Sequence, residues 1–157
     1  MHRYVETVIV SGGSRSLCTR PYPGHRKGCP NHGKKVGCPP SAPLIHDVLN
    51  LERPITAVWV TFDMTKHRKR MLRLHPSWSI RQQTCCLYWQ QGVRKRLRDE
   101  VEAFSYYHAG LQAVYCPEGA GVNVTETMKG IEINLEWPPL KVVHTVAIVG
   151  FSKQNLS

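Results

Sequence analysis

The chain predicts an α/β or α+β fold built on one mixed sheet of about five strands, with one long helix, one short helix and a cysteine-rich metal-binding loop. Residues 55–62 (ITAVWVTF) are almost wholly apolar and rich in strand formers, which marks a central strand. From about residue 79 to 108, apolar residues recur every three or four positions, the period of a helix buried along one face. Residues 14–40, inserted after the first strand, hold three of the six cysteines in a glycine- and proline-rich run without an acidic residue. At 157 residues the whole chain, 1–157, is expected to form a single domain.

The elements follow in order. Residues 4–10 (YVETVIV) favour a strand, ended by Ser11, Gly12 and Gly13. The cysteine-rich run has almost nothing apolar to bury, so only a bound group can order it. Ser41 stands where an N-cap would, with Pro43 in the first turn and Leu44, Ile45, Val48 and Leu49 after it, which predicts the short helix. After the central strand comes a basic segment, KHRKRMLRLHPSW, read as a solvated loop broken at Pro76. In the long helix Cys86, Trp89, Val93, Leu97, Val101 and Phe104 share a face, so Cys86 reads as a small buried hydrophobe. Lys95–Asp99, Arg96–Glu100 and Arg98–Glu102 are spaced as i,i+4 pairs on its other faces. Cys85 takes no role in this reading. Residues 111–115 form a strand leading into Cys116, residues 125–129 a helical turn, and residues 131–137 an alternating strand. Residues 142–151 (VVHTVAIVGF) form the last strand.

The net charge is +10 and unevenly laid out. Six Lys or Arg lie between Thr7 and His46 and ten between Met64 and Arg98, sixteen of 21 in two windows that hold no acid. Such a field attracts nucleic acid or acidic protein surfaces. Within it, Lys66, Arg68, Lys69, Arg70 and Arg73 are the candidate anion contacts, with Trp78 as a base-stacking ring. No apolar run approaches the roughly 18 residues of a membrane span, and the first residues lack a secretory signal. The expected location is cytoplasmic, where disulfides are disfavoured and thiols are free to bind metal.

Cys18, Cys29, Cys38 and Cys116 are the candidate ligands. Structural zinc sites take close cysteine pairs, whereas ten residues separate Cys18 from Cys29 and eight separate Cys29 from Cys38. Wide spacing suits a larger object, a [4Fe-4S] cluster, and Cys-Pro recurs at Cys29, Cys38 and Cys116, as at one ligand of bacterial ferredoxins. Zinc stays open as the alternative. His32, Lys34 and Lys35 lie between ligand cysteines, where they could hydrogen-bond to the centre or lower thiolate pKa values. No Ser-His-Asp pattern, phosphate-binding glycine loop or paired catalytic carboxylates can be made out.

Residues 29–40, CPNHGKKVGCPP, resemble the C-P-x-x-G-K-x-x-x-C-P-P signature of an uncharacterised prokaryotic family of predicted metal-binding proteins, a domain of unknown function. Cys29, Pro30, Gly33, Lys34, Cys38, Pro39 and Pro40 match it. Ser41-Ala42-Pro43 resembles the helix start that follows the signature in the family, and Cys116 with Gly130-Ile131-Glu132-Ile133 resembles its late cysteine and G-I-[DE]-[VI] segment. The preceding cysteine stands nearer the signature in the family than Cys18 does, so His25 or His32 is an alternative fourth ligand, or one position stays open. The resemblance implies metal binding and no particular reaction. Two functions follow from the sequence: an iron–sulfur protein with a basic surface for RNA, DNA or an acidic protein, or a zinc-stabilised nucleic-acid-binding or adaptor module.

Overall fold

The structure, a computed structural model, describes residues 1–21, 26–30 and 32–153. His25 lies outside the described residues. The fold is α+β. Its centre is the pairing of β2 (Ile55–Asp63) with β4 (Val142–Phe151), antiparallel along nine residues from Ile55 opposite Gly150 to Asp63 opposite Val142. β1 (His2–Val5) flanks β2, and β3 (Leu111–Val114) flanks β4. The order is β1-β2-β4-β3 and every pairing is antiparallel. The sheet is therefore open, unmixed and four-stranded among the described residues.

Both faces of this sheet are covered, which explains why β2 and β4 read as continuous apolar runs instead of alternating ones. Ile55, Ala57 and Trp59 join Val146 and Ile148 in one buried cluster with Ile45, Leu49, Ala120, Val122, Val124, Met128 and Ile131. Val58, Val60, Ala147 and Val149 face the other way, onto Val93, Leu97 and Val101 of α5 (Gln90–Tyr106). Each fully buried Val or Leu contributes about 1.5–3 kcal/mol, so the two clusters carry the fold.

Several elements differ from expectation. The strand expected at 4–10 is cut to His2–Val5, because the next residues bond elsewhere. The Ile9 amide donates to Thr127 Oγ1 at 3.0 Å, and Ile9 O accepts from the Asn123 amide at 2.7 Å. Residues 131–137 form no strand. The amides of Ile131 and Ile133 turn back to Met128 O, closing the end of α6 (Val124–Lys129), and Glu132 takes a left-handed φ of 64°. Ile131 is buried all the same: the alternation was packing without a ladder partner.

The long helix is interrupted. Ser79 and Gln82 form a reciprocal capping box on α4 (Ile80–Gln83), a 3₁₀ turn runs Cys86–Tyr88, and α5 starts only at Gln90. The Thr84 hydroxyl bonds back to Ile80 O and the Trp89 indole N–H donates to Thr84 O, which uses the carbonyls around the break. Cys86 is consequently exposed and not a buried hydrophobe. Of the three expected ion pairs Lys95–Asp99 closes, at 2.9 Å; Arg96 donates instead to Thr61 O, and Glu100 binds the terminal amine. The basic segment is not a loop but a helix, α3 (Met64–Leu74), capped by the Asp63 carboxylate on the Lys66 amide. The short helix, α2, is one turn, Ile45–Val48, with Leu44 and not Ser41 in the cap position.

Candidate metal centre

Cys18 lies in a 3₁₀ turn, Leu17–Thr19, directly after α1 (Gly12–Ser16). The chain returns to it at Gly28, whose φ is +80° and where a Cβ would stand 2.5 Å from Cys18 O. Only glycine permits both the left-handed turn and that approach. The next amide, Cys29 N–H, donates to Cys18 O at 2.7 Å. Two of the four candidate ligands are thus joined through their backbones.

From Cys29 the chain makes turns without a regular element. The His32 amide donates to Cys29 O, the Gly33 amide to Pro39 O, and the Cys38 amide to Lys35 O. These bonds fold the signature residues onto themselves and bring Cys38 back toward its own beginning. The Ala42 amide then donates to Cys38 O at 3.0 Å and fixes the exit. Across this exit reaches Arg15, whose Nη2 donates to Pro40 O at 2.7 Å and Ala42 O at 2.9 Å. Its charged fork ties the turn before Cys18 to the turn after Cys38.

Cys116 arrives from the far side of the sequence, at the end of β3. A turn over Pro117 to Val122 follows, and its Ala120 carbonyl accepts from the Ile45 amide at 2.9 Å, fixing it to α2. A Cβ at Gly119 would stand 2.9 Å from Gly37 O and 3.1 Å from Cys116 Sγ, so those two atoms lie within about 6 Å of each other. The thiol delivered by β3 therefore sits against the residue preceding Cys38.

The electrostatics agree with this grouping. Burial raises the pKa of the Cys18 thiol, and the neighbouring Cys29, Cys38 and Glu118 raise it further. Cys116 is exposed as a residue, yet the packing around its sulfur raises the thiol, as do Glu118, Cys38 and Cys18, while a hydrogen bond from the Gly119 amide pulls the other way. Glu118 is itself raised by burial. The Cys18 and Cys116 thiols thus lie near enough to Cys38 and Glu118 to feel their charge, and burial followed by that charge holds both toward the protonated form. Thiolates favour soft metals and iron–sulfur clusters, so the donor chemistry fits the expected group. Among the described residues, no three His, Cys, Asp or Glu side chains are gathered tightly enough to hold a single ion, and no cysteine is in a disulfide.

His32, Lys34 and Lys35 are exposed, and their side chains make no hydrogen bond or ion pair among the described residues. Cys85 is half-buried at the start of the 3₁₀ turn beside exposed Cys86, and neither affects Cys18 or Cys116. Arg15, Glu118 and Gly119 escaped the sequence reading. Only Glu118 left a signal there, as the one acid beside a candidate ligand.

The basic candidates lie across the sheet from the cysteines. α3 buries Met64, His67 and Met71, and His67 packs on Phe62, which belongs to the cluster under α5. The cysteine turns instead border the cluster containing Ile45, Ala120 and Val122. Lys66, Lys69, Arg70 and Arg73 are exposed. Arg68 is not free like these: its Nη1 donates to Leu140 O at 3.3 Å, and its Nε is buried without a partner. Trp78 is occupied, stacked on His75 at 3.9 Å between centroids and tilted against Tyr88. No helix among the described residues is long and apolar enough to cross a membrane. Comparison with protein-family models, with curated proteins and with solved structures finds no match.

Proposed function

We propose that this chain is a small metal-binding protein that carries one iron–sulfur cluster on Cys18, Cys29, Cys38 and Cys116, with a separate basic surface for an anionic partner. The observation that carries the reading is the meeting of Cys116 with the Cys18–Cys38 turns, through the contact of Gly119 with Gly37 O and Cys116 Sγ. Cys18, Cys38, Cys116 and Glu118 influence one another's titration although they lie far apart in sequence. The likeness of residues 29–40 to the metal-binding signature supports the same reading. The wide intervals between the cysteines favour a cluster over one zinc ion.

The cluster would be held by the four thiolates and would supply one-electron transfer. The chain's own part is to gather the sulfurs, to hold the turns by Arg15, and to offset with the Gly119 amide part of the rise that burial and Glu118 impose on the Cys116 thiol.

Anaerobic purification followed by iron and acid-labile sulfide analysis tests this reading. The expected product is brown, and Cys38→Ser and Cys116→Ser each lose iron and colour, while Cys86→Ala retains both. A colourless protein with stoichiometric zinc would replace the cluster by the zinc alternative. Equal metal content in wild type and Cys38→Ser overturns the ligand set.

A further inference from the structure

The outward face of α3 combines exposed cations, absent counter-ions and a regular helical spacing. Lys66, Lys69 and Arg73 each stand two positions beyond a buried residue, Met64, His67 and Met71. Two positions are about 200° of rotation, so the basic row points directly away from the protein. With Asp63, Thr65 and Leu72, these three residues line a shallow, open concavity of about 740 Å³. No acidic side chain pairs with Lys66, Lys69, Arg70 or Arg73 among the described residues. Asp63, the acid at the edge, already accepts from the Lys66 amide as the helix cap.

We infer that α3 is a docking helix for duplex nucleic acid, held by phosphate contacts from Lys66, Lys69 and Arg73 with Thr65 and Arg70 beside them. This deepens the anionic-partner half of the proposed function and does not depend on the metal. Three features select the duplex. An α-helix of 11 residues is about 16 Å long, and the major groove of B-form DNA admits such a rod. The basic row covers about 10 Å, enough for its cations to reach neighbouring phosphates of one strand. Single-strand binding instead needs free aromatic platforms, and here Trp78 is already stacked on His75. Without base-reading contacts the binding is sequence-tolerant and strongly salt-dependent.

The test is fluorescence anisotropy of the full chain with a short labelled DNA duplex of mixed sequence. The single strand of the same sequence and poly-glutamate serve as rival probes. The duplex is expected to bind most tightly, with log K falling against log salt at a slope of roughly −3 to −4. The variant Lys66→Gln/Lys69→Gln/Arg73→Gln, whose changes are all on the exposed row, should melt as the wild type does and flatten the slope by roughly 2 to 3. Unchanged binding in that variant overturns the assignment, as does single-strand binding as tight as duplex binding or an absence of duplex binding at low salt. Binding of poly-glutamate in preference to DNA overturns it too, while leaving an anionic partner in place. Iron content of the same preparations reports separately on the metal centre.

Discussion

Arg15 ties the cysteine turns together without being one of the candidate ligands. Its two hydrogen bonds to Pro40 O and Ala42 O join segments 25 and 27 residues apart. A charged donor is worth about 1.5–3 kcal/mol per bond, at the low end here because one of the two is exposed. Arg15→Met keeps the stem and removes the fork. It should weaken metal retention against a chelator by about 10–100-fold, the usual cost of losing an outer partner of a metal site. Arg15→Lys should recover part of that loss, and retention equal to wild type in Arg15→Met would reduce the residue to surface charge. Nothing in the sequence separates Arg15 from the other five cations of its window, since its acceptors are main-chain carbonyls. The cysteines were legible for the opposite reason: their chemistry is in the side chain, and Cys-Pro marks each of the three outside the first turn.

Among the elements, hydrogen-bond partners decided what hydrophobic pattern could not. Residues 4–10 and 131–137 both carry strand-like patterns, yet their polar backbone groups are satisfied by turns around α6. Thr127, nearly fully buried, is the clearest case, because its hydroxyl takes the Ile9 amide. Thr127→Val preserves shape and leaves that amide unpaired, so it should destabilise the protein by about 1–3 kcal/mol in chemical denaturation. A change under a few tenths would mean that water replaces the bond. β2 and β4 were legible because they are long and buried on both faces. α3 was obscured because its buried row of Met64, His67 and Met71 is interleaved with five cations. The break at Thr84 was equally hidden, since the apolar spacing continues through it and only side-chain bonds to carbonyls end the helix.

For the whole molecule, the sheet divides the protein into a layer with the candidate ligand thiols and a basic layer, and each carries one acid-sensitive histidine, buried His67 or half-buried His144. Burial lowers the His67 pKa on one face, with Arg70 lowering it further against a backbone hydrogen bond to Gln83. Burial alone lowers His144 on the other, where its Nδ1 meets Thr61 Oγ1 at 3.3 Å. The unfolded chain binds these protons near pH 6.5, and the folded chain binds them only at lower pH. Below about pH 6.5 the unfolded state therefore holds more protons, and stability falls as pH drops toward the folded values. Denaturation midpoints taken from about pH 7.5 down to 5.5 should decline in the wild type and decline less in His67→Leu. An equal decline in both would assign the acid sensitivity to His144 and the carboxylates. Layer membership was beyond the sequence: two acid-free windows look alike as strings, and only the sheet puts them on opposite sides.

The junction of Cys116 with Gly37 has a consequence for biosynthesis. Cys38 leaves the ribosome 78 residues before Cys116 does. At 5–20 residues per second, Cys38 waits about 4 to 16 s for Cys116, and Cys29 and Cys18 wait longer still. During that interval β4, which must seat β3 and so deliver Cys116, is also missing. A centre that needs all four thiols can therefore close only after Cys116 and β4 have been made, and the three early thiols stand open to oxidants until then.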